Sequence, residues 1–108
     1  MLDAGSLVVL PFPFSDLSSV KRRPVLLLTV PDSHGDFLAM AVTSQPGHPE
    51  SLALNQPDMR AGTLPKSSWI RTDKVVSLNR ALVAKEIGQV SPALRLRAVG
   101  RLCARLSA

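Results

Sequence analysis

Clusters of proline, glycine, serine and aspartate divide the chain into short apolar runs. Runs of this length, bounded by turn residues, are typical of strands in a small β-rich domain. We predict strands at residues 6–11, 24–30, 37–44, 51–54, 67–71, 75–78 and 84–90, with loops at 13–22, 45–50 and 57–65. Helices do not alternate with these strands. The pattern therefore favours a mainly β, SH3-like small barrel with a C-terminal helix over a layered α/β fold.

Three details of the strand pattern carry further predictions. Proline donates no ladder hydrogen bond, so the first strand is expected to end at Pro11, before Pro13. The turn residues between the second and third strands predict an antiparallel hairpin. Gly88 indicates a bend or bulge in the last strand, and residues 67–78 form either two strands or one strand with an irregularity at residues 72–73.

The C-terminal segment has the pattern of a helix. Ser91 is suited to cap it, and Pro92 is tolerated in its first turn. The helix has an apolar stripe of Leu96, Val99, Leu102, Cys103 and Leu106 and a basic stripe of Arg97, Arg101 and Arg105. We predict that the apolar stripe faces the sheet and that the basic stripe is solvated, with a contact surface for RNA or an acidic partner as the alternative. Gly100 weakens a helix, and we expect close packing against the sheet to explain it.

Composition limits the class of protein. The 108 residues fit a single domain spanning residues 1–108. Cys103 is the one cysteine, which excludes an intramolecular disulfide and a clustered-cysteine zinc site. No signal peptide or bilayer-spanning run is recognisable, so we expect a cytoplasmic protein.

The net charge of +5 is unevenly distributed. Residues 1–54 hold three basic and five acidic side chains, whereas residues 55–108 hold ten basic and three acidic ones. A basic surface suits a polyanion, because lysine and arginine that neutralise phosphates release counterions. Charge alone does not favour a nucleic acid over an acidic protein or over the absence of any anionic partner.

Two polar segments flank the predicted hairpin. The first consists of Lys21, Arg22 and Arg23 at the start of one strand, and the second of Thr43, Ser44 and Gln45 at the end of the other. Because these ends adjoin in an antiparallel hairpin, we expect Arg23 and Thr43 to meet at one rim, where a guanidinium and a hydroxyl can grip a phosphodiester. Taken singly, the first segment is better interpreted as a solvated basic turn, and the second can be simply a polar strand end.

Other kinds of chemistry have no supporting motif. The sequence contains no paired-carboxylate motif, no glycine-rich phosphate loop and no cluster of metal ligands. His34 and His48 stand in separate turn segments, and we interpret both as surface histidines.

Five segments follow one another in a distinctive order. They are Gly5-Ser-Leu-Val-Val-Leu-Pro-Phe-Pro-Phe-Ser-Asp-Leu, Lys21-Arg-Arg-Pro-Val-Leu-Leu-Leu, Val42-Thr-Ser-Gln, Ser67-Ser-Trp-Ile-Arg-Thr-Asp-Lys-Val-Val-Ser-Leu-Asn-Arg and Lys85-Glu-Ile-Gly-Gln-Val-Ser-Pro. This succession covers nearly the whole chain and resembles the MazF/PemK-like toxins of type II toxin–antitoxin systems.

The resemblance implies a homodimeric toxin that cuts single-stranded RNA sequence-selectively, without a metal ion or other cofactor, and that binds a small acidic antitoxin. Arg23, before the proline, and Thr43, at the end of the third strand, match the family's catalytic residues. In such a reaction the RNA 2′-hydroxyl attacks the adjacent phosphorus, the arginine neutralises the developing charge, and the threonine holds the phosphate. The residues assigned to substrate binding are Lys21, Arg22, Ser44, Gln45 and Asp16.

The sequence departs from the family pattern at several positions. Ser6 replaces the usual aspartate of the first strand. The loop before Arg23 lacks the glutamate that many members carry, and Asp16, the nearest acid, equally suits a turn cap. Asn79 stands where several members have an acidic residue, and Val76 where some have a basic one. These departures leave the general base unidentified.

Two other functions suit the same fold. A CcdB-like toxin, which acts on a protein target such as gyrase, shares this barrel, so the fold does not separate it from a nuclease. The other alternative is a non-catalytic RNA-binding or interaction module. The Arg-Pro and Thr-Ser-Gln motifs favour the nuclease.

Overall fold

Seven antiparallel strands form one sheet in the computed structural model, which describes residues 1–13 and 20–107. The strands are β1 (Ser6–Pro13), β2 (Val20–Leu27), β3 (Asp36–Thr43), β4 (Ser51–Leu54), β5 (Met59–Gly62), β6 (Ser68–Asn79) and β7 (Lys85–Val90), and the helix is α1 (Pro92–Leu106). Short 3-10 turns occupy Gln56–Asp58 and Arg80–Leu82. The strand order is β4-β6-β3-β2-β1-β7-β5. The sheet curls into a half-barrel, which confirms the prediction of a mainly β, SH3-like fold with a terminal helix.

The sheet has an apolar core on each face. Successive side chains of a strand point to opposite faces, yet Leu26 and Leu27 of β2 are both fully buried. Leu26 belongs to the core that packs against α1. Leu27 belongs to the second core, together with Phe37 and Leu78. Burial on both faces explains why the second and third strands have nearly continuous apolar sequences.

Two prolines lie inside β1. The strand continues past Pro11, and its pairing with β2 extends to Pro13 opposite Val20. Its pairing with β7 stops at Val9, whose carbonyl accepts a hydrogen bond from Ala84 N. Residues 11 and 13 follow Val9 at the two-residue period of a strand. The positions at which proline lacks an N–H group are therefore on the side of β1 that faces away from β2. The prediction that β1 ends at Pro11 is wrong because proline affects only one of a strand's two edges.

Two predicted loops contain strand residues. The loop expected at residues 13–22 ends early because β2 begins at Val20, and residues 14–19, including Asp16, lie outside the described part of the chain. The loop expected at residues 57–65 contains β5, which pairs with β7 at an edge of the sheet. β5 is four residues long and includes the exposed Arg60 and Gly62. It therefore lacks the apolar alternation that identifies a strand from sequence.

The last two strands contain the irregularities that the sequence indicates. β6 is one continuous strand, and its register with β3 shifts between Ile70 and Val75. This shift confirms an irregularity around residues 72–73. β7 carries one extra residue, Ile87, opposite the step from Leu7 to Val8 in β1. The resulting bulge adjoins Gly88, as predicted.

α1 begins as predicted, but the face that it turns to the sheet differs in part from the predicted one. Ser91 Oγ accepts a hydrogen bond from Leu94 N at 3.2 Å and caps the helix. Leu94 and Ala98 are buried in the core. In contrast, Leu96 and Leu106 are 60% and 76% exposed. Of the predicted apolar stripe, Leu102 packs against the core. The buried face of α1 therefore runs along Leu94, Ala98 and Leu102, and it coincides with the predicted stripe only in part.

Two arginines of the basic stripe contact the region of β4. Arg101 Nη1 donates a hydrogen bond to Ser51 O at 2.7 Å. The guanidinium of Arg105 lies 3.8 Å from the carboxylate of Glu50, although an exposed ion pair of this kind adds little stability. All three arginines of the stripe are exposed, which agrees with the prediction of a solvated face, and Arg101 and Arg105 contact the region of β4 in addition. No helix within residues 1–13 and 20–107 is both long and apolar enough to cross a bilayer.

Replacing Gly100 with alanine is expected to stabilise the protein. Gly100 is exposed, and a Cβ at this position meets nothing within 4 Å, so the prediction that it packs closely against the sheet is wrong. Alanine in a helix interior is favoured over glycine by about 0.5–1 kcal/mol. Chemical denaturation of Gly100→Ala should show an increase of that size in the free energy of unfolding. Ala104→Gly, on the same helix, should show the opposite change, and equal stabilities would contradict the expectation.

Candidate functional site

The hairpin of β2 and β3 brings the two polar segments together. The strands pair with Val25 opposite Ala41. The pairing of the two strands ends there, and Arg23 and Thr43 each lie two residues beyond that pair, at the same end of the hairpin. Both residues line the same cavity, which has a volume of about 560 Å³. The hairpin prediction is confirmed, and the two predicted segments share one concave surface.

Three parts of the chain form the walls of this cavity. β2 supplies Arg22, Arg23 and Pro24; the end of β3 and the loop after it supply Thr43, Ser44, Gln45 and His48; the start of β6 and the residues before it supply Lys66, Ser68 and Arg71. Apolar side chains, among them Leu7 and Ile87, complete the lining. A concave site with an apolar lining and a few converging polar groups is the usual form of a binding site.

Thr43 keeps a hydrogen-bond donor for a ligand. The residue is half-buried, and its Oγ1 accepts a hydrogen bond from Gln45 N at 3.0 Å. This bond occupies one lone pair and fixes the side chain at the strand end. A hydroxyl has one proton to donate in addition to its lone pairs. Thr43 is therefore held in position while its O–H proton remains available to an anionic oxygen in the cavity.

Arg71 is a lining residue that the sequence analysis does not identify. Its Nη2 donates to Asp73 Oδ2 at 3.0 Å. Burial raises the pKa of Asp73, but the hydrogen bond and charge of Arg71 outweigh that effect and hold the pKa below its ordinary value. Arg71 Nε is buried and has no hydrogen-bond partner within the described residues. The Asp73 carboxylate therefore holds the Arg71 guanidinium in place, while the Nε–H group of Arg71 has no acceptor among the described residues.

His48 and Lys66 also line the cavity without having been predicted. His48 is half-buried, so its interpretation as a surface histidine is wrong. Both residues lie in connections rather than strands, and only the folded sheet brings these connections beside β2. His34 is exposed in the turn between β2 and β3, as expected.

The lining is strongly basic. Arg22, Arg23, Lys66 and Arg71 contribute four cations, and no described aspartate or glutamate contributes to the lining. Such a surface suits a phosphate or another anion. Within residues 1–13 and 20–107, no three or more histidine, cysteine or acidic side chains are grouped as metal ligands would be.

The structure does not bring every predicted site residue to the cavity. Arg22, Ser44 and Gln45 line it. Lys21 lies one residue earlier on β2, where it is exposed and outside the lining. Asp16 lies outside the described residues.

Comparison with solved structures identifies close likenesses over nearly the full chain. MazF from Deinococcus radiodurans is 26% identical, with a TM-score of 0.74 and coverage of 99% of this chain and 97% of that one. A MazE–MazF complex from the same organism is 24% identical, with a TM-score of 0.78 and coverage of 98% and 96%. An endoribonuclease in complex with its cognate antitoxin from a mycobacterial species shares the fold at 16% identity, with a TM-score of 0.75 and coverage of 99% and 96%.

Comparison with sequence families gives one assignment. A search of curated proteins finds no significant match. The family model described as PemK-like, MazF-like toxin of type II toxin–antitoxin systems matches residues 3–104. Because this match spans nearly the whole chain, the protein belongs to the PemK/MazF-like toxin family of type II toxin–antitoxin systems.

Proposed function

We propose that the protein is an endoribonuclease that cuts single-stranded RNA by attack of a 2′-hydroxyl on the adjacent phosphorus. The observation that carries the proposal is the basic cavity that Arg23 of β2 and Thr43 of β3 both line, at the same end of the hairpin. The family assignment supports a nuclease over a CcdB-like toxin or a non-catalytic module.

Each of the two side chains has a distinct role in the proposed reaction. The attacking 2′-oxygen forms a bond to phosphorus, and negative charge builds on the phosphoryl oxygens. Arg23 neutralises that charge with two parallel N–H donors of its guanidinium group. The Thr43 hydroxyl donates a hydrogen bond to a phosphoryl oxygen and keeps the phosphate aligned for attack. Fixed donors of this kind lower the barrier because they need no reorganisation during the reaction.

The remaining predicted residues bind the RNA around the scissile phosphate. Arg22 is positioned for a neighbouring phosphate, and Ser44 and Gln45 for the edges of bases or for sugar hydroxyls. Lys21, exposed next to Arg22 on β2, suits a phosphate farther along the strand. Asp16 is proposed as a substrate-binding residue only because of its position in the sequence.

The proposal extends to two protein partners. A MazE–MazF complex and an endoribonuclease with its cognate antitoxin are among the similar structures. We therefore expect a small acidic antitoxin that covers the basic cavity and competes with RNA. We also expect a homodimer, because Leu96 and Leu106 of α1 leave apolar surface exposed on the single chain.

Incubation of the purified protein with a long single-stranded RNA and excess chelator tests the proposed activity. We expect cleavage at a limited set of sites, with 5′-hydroxyl fragment ends, because the leaving group is the 5′-oxygen. A DNA of the same sequence should remain intact, since it lacks the 2′-hydroxyl nucleophile. Intact RNA after incubation with folded protein, or equal cleavage of the DNA, would rule the proposal out.

A further inference from the structure

Among the described residues that line the cavity, His48 is the one with an imidazole ring. The other polar lining side chains are guanidinium, ammonium, hydroxyl and amide groups. Histidine changes charge between about pH 5 and 8 and is the commonest general acid or base. Since no described carboxylate contributes to the lining, His48 stands alone in this respect among the described lining residues.

We propose that His48 is the general base that takes the proton from the 2′-hydroxyl. This inference rests on the ribonuclease activity proposed above. In the step, the 2′-O–H proton moves to a ring nitrogen of His48 while the 2′-oxygen forms a bond to phosphorus. The bond from phosphorus to the 5′-oxygen breaks, and that oxygen takes a proton from water. The products are a 2′,3′-cyclic phosphate and a 5′-hydroxyl, and the imidazolium returns its proton to solvent.

The backbone around His48 is held while its ring is available. The carbonyl of His48 accepts hydrogen bonds from Ser51 Oγ at 2.8 Å and Ser51 N at 3.2 Å. Pro49 follows it and fixes one backbone torsion, and Gly47 before it has a φ of 102°, a conformation that other residues rarely adopt. The ring itself forms no hydrogen bond to the described residues. A base must keep a nitrogen free for the substrate proton, and this arrangement does so.

Neighbouring carboxylates are less suited to the role. Asp73 lies outside the lining, and Arg71 binds its carboxylate and holds its pKa below the ordinary value. A lowered pKa makes a carboxylate a weaker proton acceptor. Glu50 also lies outside this lining, on the side of Arg105. Within the described residues, neither acid competes with His48 for a proton in the cavity.

The test compares His48→Gln with the matched variant His34→Gln, which changes the exposed histidine outside the cavity. A long single-stranded RNA serves as the probe, and initial cleavage rates are measured from pH 5 to 9 after a thermal melt confirms that each variant is folded. We expect His48→Gln to lose about 100-fold or more in rate, and His34→Gln to match the original protein. The original rate should rise with pH through the histidine range, and His48→Gln should lack this rise.

Other ionisable groups do not give the same pH profile. The charged side chains that share the cavity with His48 are Arg22 and Arg23 of β2, Lys66 before β6 and Arg71 of β6. Arginine and lysine have reference pKa values above 10, well outside the histidine range. Added imidazole should restore part of the rate of His48→Gly, because it supplies the missing base without restoring a tethered side chain.

The outcomes separate this inference from the activity on which it rests. If the original protein cleaves no RNA, both fail. If His48→Gln cleaves at the original rate with the original pH profile while Arg23→Ala is inactive, the nuclease stands and His48 is not its base. A rate that falls as pH rises through the histidine range identifies imidazolium as a phosphate-binding cation and also overturns the proposal.

Discussion

Arg23→Ala is expected to lower the rate of RNA cleavage by about 1,000-fold. Arg23 lines the cavity together with Thr43, and its guanidinium is the group we assign to the charge that develops on phosphorus-bound oxygens. Loss of a preorganised donor to such a charge costs about 100- to 1,000-fold in rate, and loss of a full charge places this variant at the upper end. Initial rates on a long single-stranded RNA measure the effect.

One further variant separates the charge of Arg23 from its geometry, and a second serves as a control outside the cavity. Arg23→Lys keeps the charge but loses the planar fork that binds two oxygens, so an intermediate rate is expected. Arg97→Ala removes an exposed cation of α1 that lies outside the cavity, and its rate should equal that of the original protein. If folded Arg23→Ala cleaves within a few-fold of the original rate, Arg23 is not the catalytic arginine.

Gly88→Ala is expected to lower the free energy of unfolding by about 2–3 kcal/mol, the upper range for an overpacked site. Gly88 of β7 pairs with Gly62 of β5. A Cβ on residue 88 would lie 2.9 Å from the Cα of Gly62 and closer still to the carbonyl oxygen of Ala61. Both contacts are with backbone, so no side-chain rotation relieves them. The strands must separate, which disrupts the pairing of β5 with β7 at the sheet edge.

Chemical denaturation of Gly88→Ala, beside Gly100→Ala, measures this effect. The same substitution should destabilise the protein at residue 88 and stabilise it at residue 100, where the added methyl group meets nothing within 4 Å. Unchanged stability of Gly88→Ala would show that β5 and β7 adapt without cost. Since Ile87 of the adjoining bulge lines the cavity, reduced RNA binding by Gly88→Ala is a further expected result.

The local parts of the fold and site are predictable from the sequence. The hairpin of β2 and β3 follows from two apolar runs and a turn, and it is sufficient to bring Arg23 and Thr43 to one cavity. The cap at Ser91 and the bulge beside Gly88 depend on residues adjacent in the chain, so each leaves a signal in a short segment. Structural features that depend on residues close together in the chain can therefore be predicted from the sequence.

The parts that depend on distant segments are not predictable in this way. Lys66 and Arg71 reach the cavity because β6 pairs with β3, and no spacing in the sequence encodes that approach. His48 follows Gln45 closely in the chain, but its turn segment has no pattern that predicts a ring lining the cavity.

The buried face of α1 is predicted only in part, because its sequence forms two overlapping apolar arcs. Leu102 belongs to both arcs, and the sheet buries the arc that also contains Leu94 and Ala98.

The prolines of β1 have a consequence for how molecules of this protein meet one another. Beyond Val9, the side of β1 that faces away from β2 carries carbonyl acceptors but lacks N–H donors at Pro11 and Pro13. An approaching strand needs both donors and acceptors to extend a sheet. This stretch is therefore a poor template for edge-to-edge growth, and a small protein composed mostly of strands is protected there from aggregation.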